Sequence, residues 1–304
     1  MKTYIVGSGG VGGYFGGILA KAGNDVTFIA RGEHYNEIKK NGLRVKSITG
    51  NFTIKPAKVI KMISEIKNPD LILFTVKTYD TEKVSRELKS VVTKNTVIIT
   101  FQNGIGNDTQ IKKQLQNVHV YPGLAYINST RTKPGLIEHI GGLRKLVFGD
   151  RGNLQNIKLK EIEMLFKNSG IDATLSDDIT RDLWKKYMLI VAYAGMTAVC
   201  RSPIGKILDD PLTKSLYEQC LKEAIVVAKS LKVRISPKAF EETMIITHKT
   251  APHSKSSLLV DIENGKRNEI ETLNGNLVRL AKEKSVSVPL NELIYGAVKL
   301  LNKH

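Results

Sequence analysis

The chain has little that would place it in an oxidising compartment or in a membrane. Its 304 residues include only two cysteines, Cys200 and Cys220, both in mostly apolar, helix-like surroundings. Two buried free thiols are typical of a reducing cytoplasm, so no disulfide framework is expected. No apolar stretch reaches transmembrane length, and a strand-like segment stands where a leader would begin. We therefore expect a cytoplasmic protein that does not enter a membrane.

Aromatic and acidic residues are also scarce. Aromatic residues make up 6% of the chain, and 46 lysines and arginines against 29 acidic residues give a net charge of +17. The basic residues form no compact block interleaved with aromatics, which argues against specific nucleic-acid binding. A diffuse positive potential would gather anionic ligands, although a lysine-rich proteome explains the same charge. No metal site is predicted.

What the chain does contain is a glycine-rich turn near its start. A predicted strand and a predicted helix are joined by Gly7-Ser8-Gly9-Gly10-Val11-Gly12, which fits G-x-G-x-x-G. Gly7 permits the tight turn, Gly9 lets backbone approach a pyrophosphate, and Gly12 lets the helix pack closely on the strand. The helix N-terminus adds N–H groups and partial positive charge. These features predict a dinucleotide site.

The residue after the second predicted strand indicates which dinucleotide binds. Val26 to Ala30 predicts that strand, and Arg31 follows it. An NAD site usually carries an acidic residue here for the ribose hydroxyls, whereas a guanidinium suits a 2′-phosphate. We predict NADP(H), although Glu33 lies nearby and a surface arginine that binds nothing would look the same.

The remaining sequence divides into an alternating part and a helical part. Residues 1–176 alternate between strand-like and helix-like segments, and the continuous apolar runs at 71–76 and 96–101 are typical of a parallel sheet covered on both faces. We predict an α/β fold, with a Rossmann-type doubly wound parallel sheet as the NADP-binding domain. Residues 177–304 predict an all-helical domain for substrate and catalysis. Further segments are predicted as strands near 52–54, 119–126, 135–139 and 145–149, and as helices near 178–200, 209–231, 237–249, 253–283 and 290–302.

Two candidate site residues follow predicted parallel strands, where such folds bind ligands. Lys77 follows the strand at 71–76, and Asn103 lies in Gln102-Asn103-Gly104-Ile105-Gly106 after the next strand. Lys77 could contact a phosphate or the nicotinamide, or be a solvated lysine. Asn103 could hold a carboxamide or a substrate carbonyl, or simply supply a left-handed turn residue.

The helical part offers one candidate acid. Between Asp182 and Ala192 a helix passes abruptly from charged to apolar residues, and Lys186 stands at that margin. Desolvation would lower the pKa of this lysine and prepare it for proton transfer. A lysine with a buried stem and a solvated charge would show the same pattern. Glu269 could pair with it or accept from a bound hydroxyl, or be a solvated helical glutamate.

These segments together resemble a known family. The GSGGVG turn, the Lys77 turn, QNGIG, the LWKK helix and the late SS…RNEIETLNG stretch, in this order, are similar to 2-dehydropantoate 2-reductases, also called ketopantoate reductases, along essentially the whole chain. The resemblance implies NADPH-dependent reduction of a 2-keto acid, 2-dehydropantoate to pantoate in pantothenate biosynthesis. It implies that Lys186 donates a proton to the carbonyl oxygen, with Glu269 at the cofactor or the substrate hydroxyl. It further implies that Asn103 lies beside nicotinamide and substrate, Lys77 beside the cofactor, and Ser257 at the substrate carboxylate. Members occur as monomers and dimers, so a homodimer stays open.

Three positions depart from the family pattern. Where the family typically carries substrate-binding asparagines, this chain has Ile190 and Ala194 after Lys186, and Ser254 before Ser257. Lys186, Ile190 and Ala194 share one helix face, so a substrate hydroxyl would meet methyl groups there. An unpaired buried hydroxyl costs about 1–3 kcal/mol. The first alternative is therefore a 2-oxo acid or ketone without that hydroxyl. The others are a glycerol-phosphate or hydroxyacid dehydrogenase of similar build and a non-catalytic NADPH-sensing module.

Overall fold

The structure of the chain, a computed structural model, describes residues 1–152 and 155–302. The chain folds as two compact units, Met1–Ile179 and a second that begins at Thr180. The predicted α/β fold, a largely parallel sheet followed by an all-helical unit, is confirmed. The predicted boundary at residue 176 lies close to the division. The assignment of cofactor to one unit and substrate to the other stays a prediction.

Ten strands in the described part of the first unit form one sheet. They are β1 (Thr3–Val6), β2 (Val26–Ile29), β3 (Leu43–Ser47), β4 (Phe52–Ile54), β5 (Lys58–Ile60), β6 (Leu71–Phe74), β7 (Val97–Thr100), β8 (His119–Lys133), β9 (Leu136–Phe148) and β10 (Asp172–Leu175). The strands β5-β2-β1-β6-β7-β8 lie side by side in this order and pair in parallel. β9 continues the sheet antiparallel to β8 and pairs in parallel with β3 and β10, and β4 is antiparallel to β3.

The strand order reverses beside β1. On one side of β1 lie β2 and then β5, and on the other lie β6, β7 and β8 in chain order; between β2 and β5 the chain forms β3 and β4 beyond β9. In doubly wound sheets the loops at such a reversal leave a crevice beyond the carboxyl ends of the strands, where dinucleotides bind. The loops after β1, β2, β6 and β7 therefore share one edge of the sheet.

Helices cover both faces of the parallel part of the sheet. In the first unit they are α1 (Gly10–Lys21), α2 (Gly32–Asn41), α3 (Thr81–Leu88), α4 (Asn107–Gln114) and α5 (Ile157–Asn168). Side chains on one face of the sheet form an apolar cluster with α1, α2 and α5. Side chains on the other face form a second apolar cluster with α3 and α4. For example, Leu73 belongs to the first cluster and Ile72 to the second. Burial on both faces explains the continuous apolar runs in β6 and β7.

The described part of the second unit is helical. Its helices are α6 (Ile179–Cys200, which starts at the last residue of the first unit), α7 (Ile204–Asp209), α8 (Pro211–Ser230), α9 (Ala239–His248), α10 (Ser257–Glu263), α11 (Asn274–Glu283) and α12 (Pro289–Lys299). Across residues 1–152 and 155–302, no helix combines the length and the apolar character that a membrane crossing requires.

One predicted helix and one pair of predicted strands are wrong. The segment 253–283 forms two helices, α10 and α11, because Gly265 adopts a φ of +61° just after α10 and interrupts the helical backbone. The strands predicted at 135–139 and 145–149 form the single strand β9. Gly142 there has a φ of +89°, and the register to β8 shifts nearby, so the strand bends without ending.

The strands β3, β5 and β10 and the helix α7 were not predicted. Each is short, between three and six residues. β3 does alternate, with Leu43 and Val45 buried and Arg44 and Lys46 exposed. That alternation is the signal by which this strand could be found in the sequence.

Candidate functional site

The glycine-rich turn after β1 packs directly against the end of β6. Gly7 has a φ of +104°, and a Cβ there would lie 2.5 Å from the Val76 backbone nitrogen. A Cβ on Gly12 would collide with the Thr75 hydroxyl and with the Gly7 carbonyl oxygen. Neither position has room for a larger residue, and Gly7 also needs a left-handed backbone. The turn thereby sets the N-terminus of α1 at the carboxyl edge of the sheet.

Gly9 has open surroundings. It is the N-cap residue of α1, and apart from its chain neighbours no atom of the described residues lies within 4 Å of a Cβ built on it. The N–H groups of a first helical turn lack intrahelical acceptors, and with the helix dipole they attract anions. The space beside Gly9 therefore fits the pyrophosphate of a dinucleotide.

The Ser8 side chain and its carbonyl are bound to the protein. Ser8 Oγ donates to the Ile29 carbonyl at the end of β2 (2.9 Å), and the Ser8 carbonyl accepts from His34 Nε2 (2.8 Å). The Gly135 N–H donates to His34 Nδ1 (2.8 Å), so a neutral imidazole protonated on Nε2 satisfies both contacts. Burial lowers the pKa of His34, which favours that neutral form. Sequence reasoning missed His34, and no pattern around it points to this role.

The other two residues of the turn also face protein. A Cβ on Gly10 would collide with the Ser129 carbonyl of β8. Val11 packs against the apolar cluster beneath α1. Both residues thus shape the turn, and of its six residues Gly9 has the most open approach.

Arg31 lies at the carboxyl end of β2, as the N-cap residue of α2. Its side chain is 58% exposed, and its guanidinium lies 3.6 Å from Glu87 Oε2 on α3. An exposed ion pair of this kind contributes about 0–1 kcal/mol, so it competes weakly with a phosphate. The arrangement fits a 2′-phosphate at Arg31.

Lys77 and Asn103 lie on loops that follow neighbouring parallel strands. Lys77 follows β6 and precedes a short 3-10 turn, Thr78–Asp80, and Asn103 follows β7. Both residues are half-buried. The Asn103 carbonyl accepts from Asn107 Nδ2 (3.0 Å), which closes this loop onto the start of α4. The structure thus brings Lys77, Asn103, Arg31 and the glycine-rich turn to one edge of the sheet.

Gln102, between β7 and Asn103, is buried and fully hydrogen-bonded. Its Nε2 donates to the Val76 carbonyl (2.9 Å) and to Thr81 Oγ1 (2.8 Å), and its Oε1 accepts from Thr100 Oγ1 (2.9 Å). Gln102 belongs to the QNGIG motif, but the motif predicts no role for its side chain. The signal in the sequence for a buried, hydrogen-bonded side chain is that a polar residue stands directly after an apolar strand.

In the second unit, Lys186 is distinguished from its neighbour by burial. Lys185 is half exposed, with its ammonium 3.4 Å from Glu242 Oε2. Lys186 is half-buried, and desolvation lowers the pKa of its ammonium from 10.5 to about 8. A lysine with a pKa near neutrality can donate a proton and regain it at physiological pH. Of the two lysines, Lys186 has the environment of a general acid.

The segment that carries Glu269 is held along the helix of Lys186. The Tyr187 hydroxyl donates to the Leu273 carbonyl (2.8 Å), and Asn274 Nδ2 donates to the Val191 carbonyl (3.2 Å). Glu269 lies in the non-helical stretch between α10 and α11 and is 9% exposed. It is therefore a buried carboxyl group in a segment anchored to α6, and not a solvated helical glutamate.

The departures from the family pattern lie in different surroundings. Ala194 is buried and Ile190 half-buried on α6. Ser257, the first residue of α10, is exposed, and Ser254 is half-buried. Between them Ser256 is occupied structurally, because its Oγ accepts from Thr197 Oγ1 (2.6 Å) and from the Leu259 N–H (3.1 Å).

The two cysteines form no disulfide. Cys220 is buried and donates to Asn291 Oδ1 (3.3 Å), and Cys200 is half-buried. Burial raises the pKa of both thiols, so neither is a ready nucleophile. Over residues 1–152 and 155–302, no group of three or more His, Cys, Asp and Glu side chains could hold a metal ion.

Comparison with known proteins gives one consistent result over both units. Residues 3–153 match the family model for ketopantoate reductase PanE/ApbA, and residues 178–302 match that for its C-terminal domain. The chain is 32% identical to the uncharacterized oxidoreductase YkpB of Bacillus subtilis, over 99% of this chain and 98% of YkpB. It is also 32% identical to the 2-dehydropantoate 2-reductase of Pyrococcus horikoshii, over 98% of this chain and 97% of that one. The crystal structure of a PanE/ApbA family ketopantoate reductase from Ralstonia eutropha superimposes with a TM-score of 0.92 at 28% identity, over 99% and 98% of the two chains.

Proposed function

Because the chain belongs to the ketopantoate reductase PanE/ApbA family, we propose that it reduces 2-dehydropantoate to pantoate with NADPH. It is an oxidoreductase that acts on a keto or hydroxyl group and uses a nicotinamide cofactor. Beyond this activity class, we propose the substrate, the use of NADPH in place of NADH, and the residues that bind or act on each of them.

The proposed role of the first unit is to bind the cofactor. The N-terminus of α1 beside Gly9 would hold the pyrophosphate, and Arg31 would bind the 2′-phosphate that distinguishes NADPH from NADH. Lys77 and Asn103, on the loops after β6 and β7, would orient the nicotinamide half. When bound, the cofactor supplies the hydride that the carbonyl carbon accepts.

The proposed role of the second unit is to transfer a proton to the substrate. As negative charge develops on the substrate carbonyl oxygen, the Lys186 ammonium stabilises it and then donates its proton. Glu269 would help to orient this lysine or the substrate hydroxyl, and Ser257 would contact the substrate carboxylate. The observation that carries this assignment is the burial of Lys186, which lowers its pKa to about 8 while Lys185 stays exposed.

A second candidate substrate is favoured by one specific observation. Ile190 and Ala194 present methyl groups one and two turns after Lys186, on the face of α6 that this lysine shares. A 2-oxo acid or ketone whose side chain lacks a hydroxyl would leave no polar group unpaired against that face. Such a substrate would use the same cofactor and the same acid.

The decisive assay is NADPH oxidation by the purified protein with 2-dehydropantoate, followed by absorbance, with NADH as the comparison. Saturable turnover that prefers NADPH supports both substrate and cofactor. Equal turnover with NADH would refute the assignment of Arg31. Cofactor binding without turnover would favour the second substrate class, to be tested with a panel of 2-oxo acids; if none turns over, a cofactor-sensing module is favoured.

We also propose a cytoplasmic location, which the two free cysteines support. A homodimer stays a prediction, and sedimentation of the purified protein with and without NADPH would test it.

A further inference from the structure

Gln102 holds one short loop at both of its ends. The loop runs from Val76 to Thr81, between β6 and α3, and contains Lys77. Gln102 Nε2 donates one hydrogen to the Val76 carbonyl and the other to Thr81 Oγ1, at 2.9 and 2.8 Å. The Val76 carbonyl belongs to the peptide bond that leads into Lys77. One amide therefore fixes the orientation of the Lys77 backbone and the point at which α3 begins.

The same contacts reach the glycine-rich turn. Val76 lies between Gln102, which donates to its carbonyl, and Gly7, where a Cβ would lie 2.5 Å from the Val76 nitrogen. A shift of the Val76 backbone would therefore move into the space that the turn needs. Asn103 is the next residue along the chain from Gln102. Gln102 thus links three parts of the proposed cofactor site: the loop of Lys77, Asn103 and, through Val76, the glycine-rich turn.

The orientation of the amide is defined. The Val76 carbonyl can only accept, so Nε2 must face it, and Oε1 then faces the Thr100 hydroxyl at 2.9 Å. Gln102, Thr81 and Thr100 are 6%, 0% and 2% exposed, so water does not substitute for the bonds to the two threonines, while the bond to the Val76 carbonyl is partly buried. A carboxylate of the same shape would set an oxygen against the Val76 carbonyl.

We propose that Gln102 is a positioning residue of the reductase: it sets Lys77 and Asn103 relative to the glycine-rich turn. This role rests on the proposed function, since it assumes that these residues contact NADPH and substrate. Gln102 itself acts through the backbone of its neighbours and contacts neither ligand.

The test compares Gln102→Met and Gln102→Glu with a matched control at the other end of β7. Thr96, at the amino end of β7, is also fully buried, and its hydroxyl donates to the Pro69 carbonyl just before β6 (3.0 Å). Thr96→Val removes this bond and the bond that the hydroxyl accepts from the Thr93 N–H (3.0 Å), at the opposite edge of the sheet from Gln102. The measurements are the melting temperature, the Kd of NADPH by fluorescence, and kcat and KM.

For the Gln102 variants we expect the Kd of NADPH to rise by about tenfold or more and kcat to fall, because each loses buried hydrogen bonds at the site. Thr96→Val should lower the melting temperature by a similar amount and leave Kd and kcat within about twofold of wild type. On acidification, the affinity of Gln102→Glu relative to wild type should recover, since a protonated carboxyl group can donate to the Val76 carbonyl. Gln102→Met should show no such recovery.

If neither Gln102 variant folds, Thr81→Val keeps the glutamine and removes only the contact after Lys77. A rise of about threefold in the Kd of NADPH supports the role, and an unchanged Kd refutes it. In folded Gln102 variants, Kd and kcat equal to those of Thr96→Val would also refute it, because Gln102 would then contribute stability alone. If wild type itself fails to bind NADPH, the proposed function fails first, and the wild-type measurement identifies that case separately.

Discussion

Lys186 should limit the activity of this enzyme at alkaline pH, in a range where ordinary lysines stay charged. Burial lowers its pKa from 10.5 to about 8. With that value, about nine-tenths of the Lys186 side chains carry a proton at pH 7 and about one-tenth at pH 9. If the protonated form is the proton donor, kcat/KM for the 2-oxo acid falls about tenfold between these two pH values.

The measurement is the pH profile of kcat/KM with NADPH saturating, for wild type, Lys186→Met and Lys185→Met. Lys186→Met should lower kcat by about a hundred- to ten-thousandfold and abolish the alkaline fall. Lys185→Met is the matched control, because Lys185 is half exposed and pairs with Glu242. It should keep both the wild-type rate and the wild-type profile. A wild-type profile that stays flat to about pH 9, or equal losses in both variants, would refute the role of Lys186.

The same burial has a consequence for stability, with a definite sign. In the folded state the pKa of Lys186 lies below its unfolded value, so between about pH 8 and pH 10.5 the unfolded chain binds more protons. Stability from this group therefore rises with pH across that window. At neutral pH the difference costs the folded state about 3 kcal/mol at most. Lys186→Met should consequently unfold at or above the wild-type temperature at pH 7, even though it is nearly inactive.

Three further outcomes are expected. Gly12→Ala should strongly destabilise the first unit, because its Cβ would collide with backbone and side-chain oxygens, whereas Gly9→Ala should melt like wild type and bind NADPH more weakly. Below about pH 6.5 the protein should lose stability as His34 is forced to protonate: its folded pKa is lowered, so the unfolded chain binds the proton first. His34→Gln should reduce this slope of melting temperature against pH. Finally, Ile190→Asn with Ala194→Asn should raise kcat/KM for 2-dehydropantoate by about tenfold, by giving its hydroxyl amide partners.

Each of these has its own control or contrary result. Equal NADPH affinity of Gly9→Ala and wild type would place the pyrophosphate elsewhere. An acid slope that is the same in His34→Gln and in wild type would show that His34 does not set it. For the double asparagine variant, no gain with 2-dehydropantoate would show that Ile190 and Ala194 do not select the substrate.

Local sequence patterns were enough for the central features of the fold. The apolar runs in β6 and β7 could be assigned because strands buried on both faces have no polar alternation. The glycines of the first turn could be assigned because their spacing follows directly from how a strand passes into a helix. The patterns were insufficient for the shortest strands and for the break between α10 and α11, where pairing with distant segments and a single glycine decide the backbone.

The sequence by itself therefore determined the fold class, the position of the glycine-rich turn and the family to which both units belong. Only the tertiary structure decided which of Lys185 and Lys186 is desolvated, because that depends on what packs around a helix and not on the helix itself. Only the tertiary structure, too, directed the Ser8 hydroxyl into the protein and joined Gln102 to Val76 and Thr81, across more than 20 residues of chain. Such contacts arise when segments remote in sequence are buried together and each polar group must find a partner.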